Sequence, residues 1–180
     1  MGTLYQKPRI SPEAKKPGAP RFSKYNSEMV IRPYSLDDFE AVTRLWRAAR
    51  ELAFPDFQRA KGHTFEEDCE YFRNVILQNN DLWVAEVDGR AAGFLAIAGD
   101  FVDQLFVHPD FQRRGVGRDL LEHAKHLSPE HLFLYTFQVN ANGRAFYEKN
   151  GFAAVRFGVS PAPESEPDVE YHWRPLISQS

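Results

Sequence analysis

Six consecutive residues, Gln112-Arg113-Arg114-Gly115-Val116-Gly117, combine arginines and glycines directly ahead of an amphipathic run, and the combination suits an anion. Glycine at 115 and 117 lets backbone N–H groups converge on one concavity with no Cβ in the way. The N-terminus of the following helix adds partial positive charge, and Arg113, Arg114 and Arg118 add full charges; together they would cradle a pyrophosphate. A solvated basic turn that only makes a tight helix entrance needs the same residues. Three other phosphate loops do not fit. A P-loop requires Gly-Lys-Ser/Thr, and here Gly115 is followed by Val116-Gly117-Arg118. A dinucleotide fingerprint wants a third glycine where Leu120 stands, and it follows the first strand of a βαβ unit rather than a hairpin. A kinase glycine loop needs a downstream lysine and catalytic loop that the chain lacks.

About 25 residues further on comes a second constellation, Asn140-Ala141-Asn142-Gly143-Arg144-Ala145-Phe146-Tyr147-Glu148-Lys149-Asn150-Gly151-Phe152. Taken together, the two segments resemble the GNAT superfamily of acyl-CoA-dependent N-acetyltransferases. Its members carry Q/R-x-x-G-x-G/A after the fourth strand and N-x6-Y-E-x-x-G-F around the last helix. Leu105-Phe106-Val107-His108-Pro109 is similar to the strand end that precedes the pyrophosphate loop of that family. The resemblance spans about residues 29–175 and is strongest to small, bacterial-type, single-domain members.

The resemblance implies acetyl-CoA as co-substrate, no metal, and a role for each matching position. Backbone groups of Leu105, Phe106 and Val107 would pair with the pantetheine arm as an added strand would. One of those amides would polarise the thioester carbonyl. Residues Gln112, Arg113, Arg114, Gly115, Val116, Gly117 and Arg118 would take the pyrophosphate, and Asn140 the pantetheine from the opposite side. Tyr147 holds the position of the family's acid. A phenol of pKa ~10 yields its proton to a thiolate of pKa ~8.5 uphill by roughly 2 kcal/mol, so it would hydrogen-bond the developing thiolate and transfer late. Many members place a basic carboxylate in the fourth strand, in a register that varies. Here Phe101 holds one common register and Asp103 is the available acid, with Glu86 and His63 as alternatives. An arriving ammonium must lose a proton to such a base or to a water relay.

These residues need elements to hold them. Met29–Pro33 reads as a strand, and Ser35 or Asp37 opens a helix with Phe39, Val42, Leu45/Trp46, Ala49 and Leu52/Ala53 on one stripe, ended by Pro55. Thr64 and Glu67 form a capping box for a second helix with Phe65, Cys69, Phe72 and Ile76 inward. Strands 81–87 and 91–98 join at Asp88-Gly89, a hairpin signal. Strand 101–107, helix 115–127, strand 131–138, helix 141–149 and strands 152–159 and 169–173 complete the order, with Asn150-Gly151 as a C-cap. Hairpins mixed with helical crossovers mean an α/β (α+β) mixed sheet covered on both faces. The resemblance narrows this to a GNAT-like fold, a mostly antiparallel sheet flanked by about four helices.

The bulk properties bound the rest. At 180 residues and 43% apolar composition, one ordinary domain is expected, spanning 29–175 with a short tail at 176–180. Residues 1–28 carry six Lys or Arg against two Glu and four of the twelve prolines, so they read as a flexible basic extension. With that stretch at +4, the remainder of the −3 chain carries −7. Nucleic acid and anionic membrane are not expected partners. No apolar run nears the ~20 residues that span a bilayer, and no secretory h-region begins the chain, so a cytoplasmic protein is expected. One cysteine excludes an intrachain disulfide, and the six histidines lack metal-site spacing, His123 and His126 being a weak surface pair. The expected substrate pocket draws on Phe54, Phe57, Trp83, Phe101, Tyr135 and Tyr171, with Asp100, Asp103 and Glu170 near. A small cationic amine suits it; a peptide N-terminus or lysine side chain is the alternative, as is a CoA-binding sensor without turnover. A homodimer is left open.

Overall fold

The computed structural model describes residues 29–162 and 164–176. The basic extension over 1–28 and residues 177–180 lie outside the described residues. Among these residues seven strands run β1 (Met29–Pro33), β2 (Asp81–Val87), β3 (Arg90–Ala98), β4 (Phe101–Val107), β5 (Leu132–Phe137), β6 (Ala153–Val159) and β7 (Pro167–Trp173). They form one sheet in the order β1-β2-β3-β4-β5-β7-β6. Neighbours are antiparallel except β4 and β5, which are parallel. The β2–β3 hairpin turns at Asp88 (φ 50°) and Gly89 (φ 74°), the two left-handed residues that a tight, right-twisted hairpin demands.

Among the described residues five helices cover the sheet: α1 (Phe39–Ala53), α2 (Pro55–Lys61), α3 (Phe65–Tyr71), α4 (Val116–Leu127) and α5 (Ala141–Lys149). The expected stripe of α1 is buried only as far as Ala49, and Leu52 and Ala53 are exposed. Pro55, expected only as a stop, also starts α2, because the first helical position has no use for an N–H. Gly62, at φ 63°, closes that helix. The Thr64–Glu67 capping box forms as expected, and α3 runs on through a π-helical turn at Phe72–Ile76 to Asn79. The wide turn puts the faces before and after it out of phase. Phe72 and Ile76 are therefore fully buried, while Cys69 is only half-buried and Asp68 turns inward to meet Arg47 at 2.6 Å and Arg50 at 3.1 Å.

Alternate residues of β3 serve both layers of the core. Phe94 and Ala96 pack under α1 and the π-helical turn, with Leu45 and Phe72; Leu95 and Ile97 pack under α4, with Leu120 and Leu121. Full burial of Leu120 or Leu121 stabilises by about 2 kcal/mol each.

The sheet opens where its strands turn parallel. β4 and β5 pair only at Phe101 and Phe133, where the Phe133 N–H reaches the Asp100 carbonyl at 2.9 Å. A hydrogen-bonded chain binds that vertex: Asp100 to His131 (2.9 Å), His131 to His172 (2.9 Å), and His172 to Glu170 (2.8 Å). It ties the β3–β4 turn to β7 across the start of β5. Beyond the vertex the two strands part.

A cleft between the splayed strands

A cleft of about 630 Å³ fills the space the strands leave. One wall is β4, with Phe101, Asp103, Leu105 and Phe106. The other is built by Tyr135 and Phe137 of β5, Asp168 of β7, and Asn140 and Tyr147 at α5. Trp46, Phe54 and Phe57 close it from the side of α1 and α2.

Asp103 owes its place to a β-bulge. Ala96 pairs with Gln104 and Ile97 with Val102, so Asp103 is an extra residue with no partner on β3. A bulge re-aims side chains that strict alternation would send elsewhere. Val102 packs in the α4 layer, while Gln104 accepts from the Trp46 indole at 3.2 Å on the α1 side. Asp103 lines the cleft, where its Oδ2 accepts from Asn80 Nδ2 at 2.8 Å and its Oδ1 from Gln104 Nε2 at 3.4 Å. Burial pushes its carboxyl above the usual carboxylate range, and the two amides only partly offset that.

Past the bulge, β4 pairs regularly with β3 from Gln104 to Val107. The His108 N–H reaches the Ala92 carbonyl on the β3 side at 2.9 Å. By alternation, Val107 and Leu105 turn their N–H and C=O groups toward the gap, where no strand of the sheet answers them. Gln112 Nε2 approaches the Val107 carbonyl at 3.4 Å, on that open side.

The glycine turn stands at the end of this strand. Arg113 (φ 61°) and Gly115 (φ 92°) both adopt left-handed backbone, and Gly115 is the N-cap of α4. The Asp119 N–H bonds the Gly115 carbonyl, and no side chain caps the helix, so the amides of Val116, Gly117 and Arg118 lack intrahelical acceptors. Gly117 has a separate reason: a Cβ there would lie 3.3 Å from Val107 Cγ2 and 3.5 Å from Phe146 Cζ. Gln112, Arg113, Arg114 and Arg118 are exposed, and the Arg114 guanidinium lies 5.5 Å from the Phe111 ring centre. The arrangement is an open, positively charged helix entrance.

Across the gap, α5 is closed at its own entrance. Asn140 Oδ1 accepts from the Gly143 N–H at 3.0 Å, and its Nδ2 donates to Thr136 Oγ1 at 2.9 Å. One amide N–H of Asn140 is left over. A Cβ on Gly143 would collide with the Asn140 side-chain amide, so the cap and the glycine require each other. Tyr147 is half-buried, its ring against Phe146, Phe152 and Tyr171. Burial pushes its phenol up to about 12. Complete transfer to a thiolate of pKa ~8.5 would then be uphill by roughly 5 kcal/mol, which leaves hydrogen-bond donation as its chemistry.

Of the aromatic residues expected at the pocket, Phe54, Phe57, Phe101 and Tyr135 line it. Trp83 instead packs on His123 at 4.2 Å, and Tyr171 is wholly buried with its hydroxyl donating to Glu148 at 2.6 Å. Asp100 and Glu170 are spent on the histidine chain at the vertex. His63 lies in the cleft, 3.9 Å from Glu67, whereas Glu86 binds Arg32 at 2.8 Å away from it. His108 accepts from the Asp110 N–H and is a turn residue. Among the described residues no three His, Cys, Asp or Glu gather as metal ligands, and no helix is long and apolar enough to cross a membrane.

Sequence reading missed Asp168, Glu164 and Asn80. For Asp168 a signal existed: Asp168, Glu170 and His172 alternate with the buried Val169 and Tyr171, which marks a polar strand face. Asp168 is 6% exposed, and burial pushes its carboxyl up as well.

Comparison with known proteins follows the same lines. A model of the acetyltransferase (GNAT) domain matches residues 78–154. The chain is 33% identical over 128 residues to the peptidyl-lysine N-acetyltransferase YiaC of Escherichia coli, covering 70% of this chain and 84% of that one. It is 33% identical over 123 residues to the peptidyl-lysine N-acetyltransferase YjaB of the same organism, covering 68% and 80%. The solution structure of apo YjaB from E. coli superposes with a TM-score of 0.65 at 26% identity, over 81% of this chain and 97% of that one. The fold is also that of the PaiA N-acetyltransferase of Thermoplasma acidophilum, solved in complex with coenzyme A, at a TM-score of 0.62 and 19% identity over 82% and 99% of the two chains.

Proposed function

This chain belongs to the GNAT superfamily of N-acetyltransferases, and from that premise we propose that it moves the acetyl group of acetyl-CoA to a primary alkylamine by direct attack in a ternary complex. The observation that carries this reading is one juxtaposition. The unanswered edge of β4 runs into an uncapped helix entrance rich in arginine, and the half-buried Asp103 and Tyr147 share the same cleft.

In this reading Leu105 and Val107 hold the pantetheine arm through their backbone, with Asn140 offering its spare N–H from the far side; Phe106, expected to share that role, turns its own N–H and C=O to β3. Gln112 through Arg118 hold the pyrophosphate with amides and guanidinium groups. Asp103 takes a proton from the ammonium, which its raised pKa suits better than an ordinary carboxylate's would. The amine nitrogen then bonds the carbonyl carbon, and a β4 amide steadies the developing oxyanion. As the C–S bond breaks, the nitrogen releases its second proton to solvent, Tyr147 hydrogen-bonds the thiolate, and solvent supplies the proton that the phenol holds too tightly to give.

The cleft favours a slender cationic acceptor: aromatic rings line it, and Asp103 has no Lys or Arg partner among the described residues. A small alkylamine and a lysine side chain both fit that description, and the names of the two relatives favour the lysine. The test is release of free CoA thiol when acetyl-CoA meets a panel of alkylamines and lysine-containing peptides. Turnover with either class is the expected result. CoA binding with no thiol release across both classes would overturn the reading in favour of a sensor.

A further inference from the structure

Resting on that reading of the cleft, we propose that Asp168 and Glu164 form a second cation subsite, for an acceptor that carries another positive group besides the amine that reacts. Asp168 stands on β7 directly opposite Phe137 of β5 and Gly158 of β6, so all three share the face that looks into the cleft. Gly158 keeps the carboxylate's place clear, since a Cβ there would come within 3.0 Å of Asp168 Oδ1. The neighbouring cation on β6, Arg156, is engaged with Glu170 at 2.8 Å. No Lys or Arg among the described residues lies within ion-pair distance of Asp168.

Glu164 supplies an independent sign. Its Oε2 is fully buried in the cleft wall and accepts no hydrogen bond among the described residues. A buried acceptor with no donor costs free energy that a donor arriving with a ligand would recover. The aromatic wall fits the same ligand. Phe137 meets Phe54 at 5.2 Å and Phe57 at 5.4 Å, and the chain's own Lys61 ammonium lies 5.3 Å from the Phe57 ring centre. Rings and carboxylates lining one cleft suit alkylammonium groups, although Arg156 acts on Asp168 from beyond ion-pair distance.

The subsite is separate from Asp103, which is held on the β4 wall by Asn80 and Gln104. An acceptor that answers both walls is a dication: an α,ω-diamine, or a lysine flanked by a second basic group.

Equilibrium titration of the full chain with 1,4-diaminobutane and with butylamine tests the idea without requiring turnover. The diamine should bind at least tenfold more tightly than the monoamine. Asp168→Asn and Glu164→Gln should each remove most of that preference while leaving butylamine affinity unchanged. With both amines as substrates, the variants should raise KM for the diamine and spare kcat. Equal affinity of the two probes for the wild-type protein would overturn the proposal, as would a preference that survives both variants. A protein that prefers the diamine yet releases no thiol would keep this subsite and sink the transferase reading instead.

Discussion

The two walls of the cleft are made of the same elements put to opposite uses. Each wall is a strand leading to a helix entrance, β4 to α4 and β5 to α5. On the β4 side the strand edge is unanswered, no side chain caps the helix, and arginines surround its first turn. On the β5 side the strand is fully paired with β7, and Asn140 caps the helix. One wall keeps its main-chain groups for a ligand; the other satisfies its own and offers aromatic and acidic side chains. In the proposed reading, the difference separates a wall that holds a cofactor by backbone from a wall that selects an acceptor by side chain.

Four substitutions would break or sharpen that division. The largest effect is expected for Asp103→Asn, with kcat falling by about 10³-fold and CoA affinity unchanged by equilibrium titration. Activity of the wild-type protein should be lost as pH falls through the raised Asp103 value, above the ordinary carboxylate range, and that limb should vanish in the variant. The stability consequence has the opposite sense. Because the folded-state value is raised, ionising Asp103 costs the folded state more than the unfolded chain, so this contribution is lost as pH rises through that value. Asp103→Asn should therefore leave Tm at neutral pH unchanged or higher. A clear drop in Tm would make Asp103 a structural residue.

Next comes Gly115→Val, which forces a β-branched residue into left-handed backbone at the open entrance. CoA affinity should weaken by about a hundredfold while acceptor-side binding persists. Loss of amine binding to the same degree would mean that the walls are not independent.

Tyr147→Phe should lower kcat by about 30-fold, the worth of one hydrogen bond to a developing charge, with CoA affinity retained. With the phenol near 12, the wild-type pH profile should show no alkaline limb from Tyr147 below about pH 11. The smallest effect belongs to Asn140→Ala. Loss of the cap should cost about 1 kcal/mol and lower Tm by a few degrees. A loss of CoA affinity larger than that of stability would show that the spare amide N–H serves the ligand as well as the helix.

What the sequence revealed was local. The glycine turn, the Asn140–Phe152 segment, the Asp88-Gly89 hairpin and the Thr64 capping box are each written in a few neighbouring residues, and each forms where expected. Hidden features depend on partners distant in the chain. The bulge that turns Asp103 into the cleft exists only because Ala96 and Ile97 pair with Gln104 and Val102. Asp168 reaches the cleft because β7 inserts between β5 and β6, which places it against Phe137, 31 positions earlier. Trp83 and Tyr171 had the same aromatic character as Phe54 and Phe57, but their strands turn them to the α4 side of the sheet, while the α1–α2 junction holds Phe54 and Phe57 against the cleft. Pro55 misled for a simpler reason: a residue that stops one helix is also well suited to begin the next.

The unpaired status of Asp103 has a last consequence, for the history of the strand rather than its chemistry. Since β3 has no residue opposite it, excising Asp103 would leave Val102 facing the α4 layer and Gln104 facing the α1 layer, in ordinary alternation. Every downstream pair, through Val107 and Gly93, would keep its register. The acid is thus an insertion that the sheet tolerates and does not need. A chain lacking it would be expected to fold around the same cleft, so the fold and the proposed base can be gained or lost separately.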